Sequence, residues 1–327
     1  MPKRDKRLLK LLVLCVGGFQ LKLRILQMNV GTNGIVVDQH GNVLLIKRND
    51  TRTFAPPGGA LDAGELPPDG AAREVREETG LIVLPVRLAA LTYLPLSPFG
   101  FLGFTFRCLL RGGEITTSAE SPLVGFFKTN PLPRRMSGFH RERLEKSLGH
   151  AGERPLFFQH PISPLNKAAR FVLQHVVYRW LDVKRKLQGQ PPYQPPPTWE
   201  VASYFLHRNE AGAHLWHRPN DNAPWQLPGG TASGLMAPWQ TAVQLAQQQT
   251  GLYLCPHQLS DVYLGPKSNQ LTLIFTTAAT QKNQPANHTV AWFAPNNEAN
   301  AHHPQHSQMV ANDTTSTRPT QFHRLSE

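Results

Sequence analysis

The sequence predicts an α/β chain of the α+β kind, a sheet flanked by helices, built twice in tandem. Three observations carry this expectation. Runs of β-branched and aromatic residues bounded by Gly, Asn and Asp turns alternate with stretches of helical spacing. A turn at Gln39-His40-Gly41-Asn42 and a connection at Gly112-Gly113 separate runs of the first half. The chain also matches itself at a shift of 171 residues, which aligns Asn49-Asp50 with Asn220-Asp221, Pro57-Gly58-Gly59 with Pro228-Gly229-Gly230, and Thr79-Gly80-Leu81 with Thr250-Gly251-Leu252. The match runs on, without a gap, through Pro85 with Pro256, Pro95 with Pro266 and Phe104 with Phe275.

Taken in order, residues 1–26 form a basic and apolar segment. Lys3, Arg4, Lys6, Arg7 and Lys10 precede a short apolar run from Leu11 to Phe19. The run imitates a signal peptide but lacks a small-residue cleavage site before Lys22 and Arg24, and it is too short to span a bilayer. It is expected to pack on its own domain, with a weak membrane-surface contact as the alternative.

A first domain follows over residues 27–150. Residues 34–38 and 43–47 read as strands around a turn at Gly41, and 69–79 as a helix, with Pro67 and Pro68 at its start, Asp69 as its cap and Gly80 as its stop. Residues 83–94, 101–110 and 123–127 read as further strands, Gly112-Gly113 as a hairpin-like connection, and 140–148 as a short helix. The linker, 151–198, combines a helix over 166–187 with a stiff proline-rich spacer at 190–197. In the second domain, 199–295, residues 201–206, 213–217, 271–277 and 290–293 read as strands and 237–249 as a helix. The remainder, 296–327, is rich in Asn, His, Gln and Thr and reads as a disordered tail in which His302, His303 and His306 are solvated.

Residues 59–81 carry the chemistry. On the predicted helix Glu74, Glu77 and Glu78 stand at i, i+3 and i+4, so three carboxylates share one face. Such a cluster repels itself unless a cation neutralises it, and hard divalent ions prefer oxygen ligands. Ala71, Ala72, Val75 and Leu81 fall on the other side, suited to packing on a sheet. Gly59, Glu65 five residues beyond the next, Arg73-Glu74, Val75, Glu77-Glu78, Gly80 and Leu81 together resemble the Nudix box at every defined position.

That resemblance implies an α-β-α sandwich with a mixed sheet and a pyrophosphohydrolase acting on a nucleoside diphosphate linked to another moiety. Glu77 and Glu78 would be principal ligands of Mg2+ or Mn2+, Glu74 a further ligand or the general base, and the Gly59 carbonyl would complete the inner shell. Arg73 would orient the glutamates, while Glu65, Gly58 and Gly80 would support the loop and helix. The implied reaction is attack of a metal-activated water on phosphorus. Pro95 resembles a residue of the ADP-ribose pyrophosphatase-like branch. Arg52, Tyr93, Pro95 and Phe99 are expected substrate contacts, with Phe101 and Phe104 as further stacking aromatics and Arg134, Arg135, Arg141 and Arg143 as further phosphate contacts.

At the 171-residue shift the second box loses its acids. Glu65 is matched by Met236, Arg73 by Gln244, Glu74 by Leu245, Glu77 by Gln248 and Glu78 by Gln249, while Gly229, Gly230 and Gly251 remain. Backbone shape is kept and cation binding is not. Because ADP-ribose pyrophosphatases of the resembled family work as dimers, the second domain is expected to act as an attached partner in a pseudo-dimer. A nucleotide-sensing or scaffold protein with little turnover is the alternative reading.

The net charge of +12 is uneven, with 28 Lys and Arg against 15 Asp and Glu in residues 1–190 and 6 against 7 thereafter. A basic first half suits a small polyanionic substrate such as a nucleotide. Neither a helix-turn-helix pattern nor an aromatic-basic RNA signature is evident, so no specific nucleic-acid partner is expected. Cys15, Cys108 and Cys255 are too scattered for a zinc site or a disulfide framework, which points to a reducing, cytoplasmic setting.

Overall fold

The computed structural model describes residues 27–96, 99–161, 195–233, 235–267, 269–278, 289–294, 303–311 and 319–325. The N-terminal segment 1–26, the expected linker helix at 166–187 and most of the proline-rich spacer lie outside the described residues.

The first half runs β1 (Gln27–Val36), β2 (Val43–Lys47), β3 (Phe54–Ala55), β4 (Gly58–Ala60), α1 (Pro67–Thr79), β5 (Leu81–Leu94), β6 (Gly100–Gly113), β7 (Leu123–Phe127), α2 (Gly138–Gly149) and β8 (Leu156–Gln159). The second runs β9 (Thr198–Leu206), β10 (His214–His217), β11 (Gly229–Thr231), α3 (Pro238–Thr250), β12 (Pro256–Leu264), β13 (Gln270–Thr277), β14 (Val290–Phe293), α4 (Pro304–Ala311) and β15 (Gln321–Arg324). One ten-stranded sheet crosses both halves in the order β15-β12-β13-β9-β1-β6-β5-β8, with β4 beside β1 and β11 beside β9. It is mixed: β1 runs parallel to β6 and antiparallel to β4.

The halves share local contacts at the 171-residue offset. Thr32 pairs with Gly59 and Ser203 with Gly230. Gly34 N donates to Pro57 O, and Phe205 N to Pro228 O. Bulges fall between Leu88 and Ala90 and between Leu259 and Asp261. The ungapped match then ends. Thr32 faces Phe104 on β6, whereas Ser203 faces Leu273 on β13, so Phe275 is not the counterpart of Phe104. The hairpin beyond the bulge is two residues shorter in the second half, since Ala90 pairs with Thr105 but Asp261 with Ile274.

Where the halves meet, β1 and β9 pair antiparallel: Gln27 with Glu200, Met28 with Trp199 and Asn29 with Thr198. At the same offset Met28 is the counterpart of Trp199 and the pairs Gln27–Glu200 and Asn29–Thr198 exchange with each other, so a local two-fold passes between Met28 and Trp199. Ring contacts follow it, with Phe157 on Phe275 and Phe322 on Phe106, each at 5.5 Å. One apolar cluster spans the junction and includes Met28, Val30, Phe106, Trp199, Phe205 and Phe275.

Four expectations need correction. The segment read as a disordered tail contains α4 and β15, and β15 extends the sheet in parallel beside β12. Its few apolar residues suffice because a neighbouring strand supplies the hydrogen bonds and α4 buries Met309 and Val310. His306, expected to be solvated, is 4% exposed, its Nδ1 accepting from Leu227 N at 3.1 Å. Domain ends at 150 and 295 fall short, because β8 pairs with β5 beyond the first and β15 with β12 beyond the second. Gly112 and Gly113 do not turn a hairpin; they are the end of β6, opposite Ile82 and Leu81.

Burial holds His140 and His306 down to about 3 and His217 to about 4. A histidine whose folded pKa is depressed supports stability above its unfolded value near 6.5, and that support is lost as the pH falls. The fold is therefore expected to lose stability, on the order of 1 kcal/mol per pH unit for each of these groups, as the pH falls below about 6.5. Thermal unfolding between pH 7.5 and 5 checks this, and a flat profile would contradict the burial of these rings.

Candidate active site

Helix α1 places the acids. Leu66 is its N-cap and the prolines occupy its first positions, where a missing N–H costs nothing, so Asp69 lies in the first turn and is not the expected cap. Gly80 closes the helix in the left-handed region at φ 75°, its N–H donating to Arg76 O at 2.8 Å. Ala71 and Val75 are fully buried against the sheet, which turns Glu74 and Glu78 toward the loop at Gly58 and Gly59.

Each glutamate is held differently. Glu78 accepts from Gly58 N at 2.7 Å, and burial pushes its carboxyl up to about 7, against that hydrogen bond and helped by nearby Glu74. Glu74 is raised by burial and partly offset by Arg73. Its carboxylate lies against Gly59, where a Cβ would stand 2.5 Å from Glu74 Oε1, so glycine makes the approach possible. Glu77 is largely exposed and accepts from Arg73 Nη1 at 3.1 Å. Arg73 also grips both oxygens of Glu65 at 2.9 Å, donates to Glu74 at 2.9 Å, and reaches Ala60 O at 3.2 Å. Its charge is reinforced chiefly by Glu65.

Among the described residues, no three His, Cys, Asp or Glu side chains gather as a ready-made ion cage. The expected convergence of three carboxylates is thus not preformed: Glu77 turns to Arg73 instead. The donor set nevertheless fits a hard cation. Glu74 and Glu78 are carboxylates crowded by burial without enough positive charge, and magnesium is commonly held by one or two carboxylates together with substrate phosphates.

Beside these residues lies a cavity of about 170 Å³, bordered by Gly58, Gly59, Asn33, Arg48, Phe101 and the α2 side chains Phe139, His140 and Arg143. Arg48 is held by Asp50 at 2.6 Å. None of the four expected substrate contacts borders the cavity. Tyr93 is fully buried in the apolar core, on a stretch of β5 from Leu88 to Tyr93 that is buried on both faces, so it does not face a ligand site. Arg52 is exposed on a turn at φ 57°, and Pro95 and Phe99 are half-buried on the β5–β6 connection. Of the further candidates, Phe101 and Arg143 do reach the cavity, while Phe104 is core. Asn33, Phe139 and His140 carried no sequence signal as site residues.

In the second half the same positions are filled. Gln249 accepts from Gly229 N and donates to Gly229 O, both at 2.8 Å, and Leu245 packs where Gly230 would otherwise face a carboxylate. Tyr204 stands at the offset of Asn33, its ring 4.4 Å from that of His306.

The family model described as NUDIX domain matches residues 28–128. A "MutT-like protein" of Streptomyces ambofaciens is 36% identical over 124 residues, 38% of this chain and 79% of that protein. An "ADP-ribose pyrophosphatase" of Methanocaldococcus jannaschii is 32% identical over 122 residues, 36% of this chain and 70% of that protein. The crystal structure of a MutT protein from Bacillus halodurans covers 42% of this chain and 92% of its own, at 26% identity and a TM-score of 0.38.

Proposed function

The chain belongs to the NUDIX family and is a pyrophosphohydrolase, and we propose that its first half hydrolyses a nucleoside diphosphate sugar of the ADP-ribose kind with Mg2+ or Mn2+. The observation that carries this is the pair of half-buried carboxylates, Glu74 and Glu78, set against Gly58 and Gly59 at the rim of a cavity that Arg48 and Arg143 also border.

Glu74, Glu78, the Gly59 carbonyl and, after leaving Arg73, Glu77 would hold the ion. When bound, the ion neutralises charge on the diphosphate and lowers the pKa of the attacking water. The chain's own residues do the rest. Arg73 positions Glu74 and Glu77 and is itself fixed by Glu65. Gly58 N–H keeps the Glu78 carboxylate aimed along the loop. Either Glu74 or Glu78 can accept the water proton, since burial raises both.

We further propose that the second half is a degenerate copy acting as an attached partner. The shared contacts at one offset and the two-fold pairing of β1 with β9 support this reading. So does the loss of the carboxylates at Leu245, Gln248 and Gln249, which leaves the second half without the acidic side chains that would hold a cation. Free Cys108 and Cys255 suit a reducing compartment such as the cytoplasm. No helix of the described residues is long and apolar enough to cross a membrane.

The test is turnover of ADP-ribose, other nucleoside diphosphate sugars, dinucleoside polyphosphates, NADH and nucleoside triphosphates with and without Mg2+. Metal-dependent release of a nucleoside monophosphate from one class is expected. Silence across the panel, with nucleotide binding intact, would replace this proposal with the sensor reading.

A further inference from the structure

Strands β5 and β6 outrun the sheet that contains them. The last β6 residue paired to β1 is Cys108, opposite Val36, and the first β5 residue paired to β8 is Ala90. Among the described strands, residues 81–86 and 109–113 therefore pair only with each other, as a two-stranded ribbon with both outer edges open. One row of the ribbon, Leu81 and Val83, is buried with Ala71, Val75 and Cys108 in the main core. The rest is uncovered. Ile82, Leu84, Val86, Leu109, Leu110 and Ile115 are each 45–52% exposed, six of the nine exposed large apolar side chains of the described residues. Aliphatics gathered in this way, rather than scattered singly, mark a surface that meets a partner. The fold does not demand them: at the 171-residue offset Leu84 and Val86 become Cys255 and His257, both exposed.

Charge selects the partner. Residues 81–88 and 107–116 contain Arg87, Arg107 and Arg111 against one carboxylate, Glu114. Arg87 donates to the carbonyls of His150 and Gly152. Arg111 on the ribbon and Arg76 in the last turn of α1 are exposed, and among the described residues neither has an ion pair. A second copy would bring the same arginines to a self-complementary contact, where like charges repel. The stretches of the chain outside the described residues fit no better: residues 1–26 carry seven Lys and Arg against one Asp, and 162–194 carry six against one. Pro85 has no N–H to donate and sits on the open β5 edge, which disfavours an added peptide strand. A membrane leaflet rich in anionic lipid is both apolar and negative, and needs no strand edge.

We infer that the β5–β6 ribbon docks the chain on an anionic membrane surface, its aliphatics entering the headgroup region and Arg111 and Arg76 meeting the lipid charges. Phe101 borders the cavity beside the glutamates from the other end of β6, so docking leaves that cavity clear.

The experiment is flotation of the full chain with vesicles of phosphatidylcholine alone and of phosphatidylcholine mixed with phosphatidylserine. Binding is expected to the mixed vesicles only, and to fall steeply with added salt. Leu84→Gln combined with Leu109→Gln keeps every charge and is expected to weaken binding roughly tenfold or more. Arg111→Gln keeps the aliphatics and is expected to weaken it roughly fivefold. Residues 1–26 are basic and apolar too, and they stay in place in every variant. Undiminished binding by the folded double variant therefore assigns any attachment to that segment and overturns the inference. Should the double variant melt early, Arg111→Gln decides alone, and undiminished binding there overturns it. Absence of binding to the mixed vesicles, or equal binding to both kinds, overturns it as well. Sedimentation without vesicles reads the rival cover: a dimer that the double variant converts to monomer would give the face to a second copy and overturn the membrane assignment.

Discussion

Glu78→Gln is expected to remove nearly all turnover, roughly 10³-fold or more, and to leave the fold intact. The substitution removes one negative charge where the reaction needs a cation and changes little else in shape. The chain already contains the comparison: Gln249 sits at the matching place in the second half, and its amide satisfies both the N–H and the carbonyl of Gly229. Stability in the absence of metal should even rise at alkaline pH. A carboxyl whose folded pKa is raised to about 7 supports the fold below its unfolded value and loses that support as the pH climbs through 7. Glutamine carries no charge to bury, so its Tm in chelator at pH 8 should equal or exceed that of the wild type. Assays with Mg2+ and melting curves with chelator read the two halves of the prediction. Activity within tenfold of the wild type would exclude Glu78 as a ligand.

Trp199→Ala should cost about 3–5 kcal/mol of stability, although Trp199 lies outside the NUDIX-matched residues. Its side chain is fully buried beside Met28 at the two-fold junction, and its indole Nε1 donates to Leu61 O at 3.4 Å. Leu61 begins the loop that carries Glu65, and Glu65 fixes Arg73. A second tie comes from β15, where Arg324 donates to Gly64 O at 2.7 Å. The second half therefore covers the β1 edge and braces the loop before the glutamate helix. Denaturant unfolding of Trp199→Ala measures the cost directly. A chain ending before Thr198 is expected to lose turnover, because Met28, Val30 and Phe106 would be uncovered. A soluble truncated protein with unchanged turnover would reduce the second half to a passenger.

The parts legible in advance are those governed by short-range rules. Strands β2, β7 and β14 have the bounds that their alternation and flanking turns indicate, and α1 differs only by starting at Pro67. The helix stop at Gly80 needed only a residue tolerant of positive φ. Strand β15 was illegible because the segment Gln321–Arg324 has no strong pattern of its own and becomes a strand by pairing with β12. Tyr93 was misread for a related reason. An aromatic on a strand looks the same in sequence whether it faces core or ligand, and the register of β5 on β6 decides between them.

The sequence by itself determined the glutamate helix and its glycine stop, because these depend on residues a few positions apart on one element. Only the tertiary structure decided that the two halves share one sheet, that the tail completes the second half, and that Asn33 and Arg143 close the cavity. Asn33 takes its orientation from Thr105, 72 residues away, and Arg143 reaches the same wall from α2. Contacts of that range are selected by packing and burial over the whole chain, and no local periodicity records them.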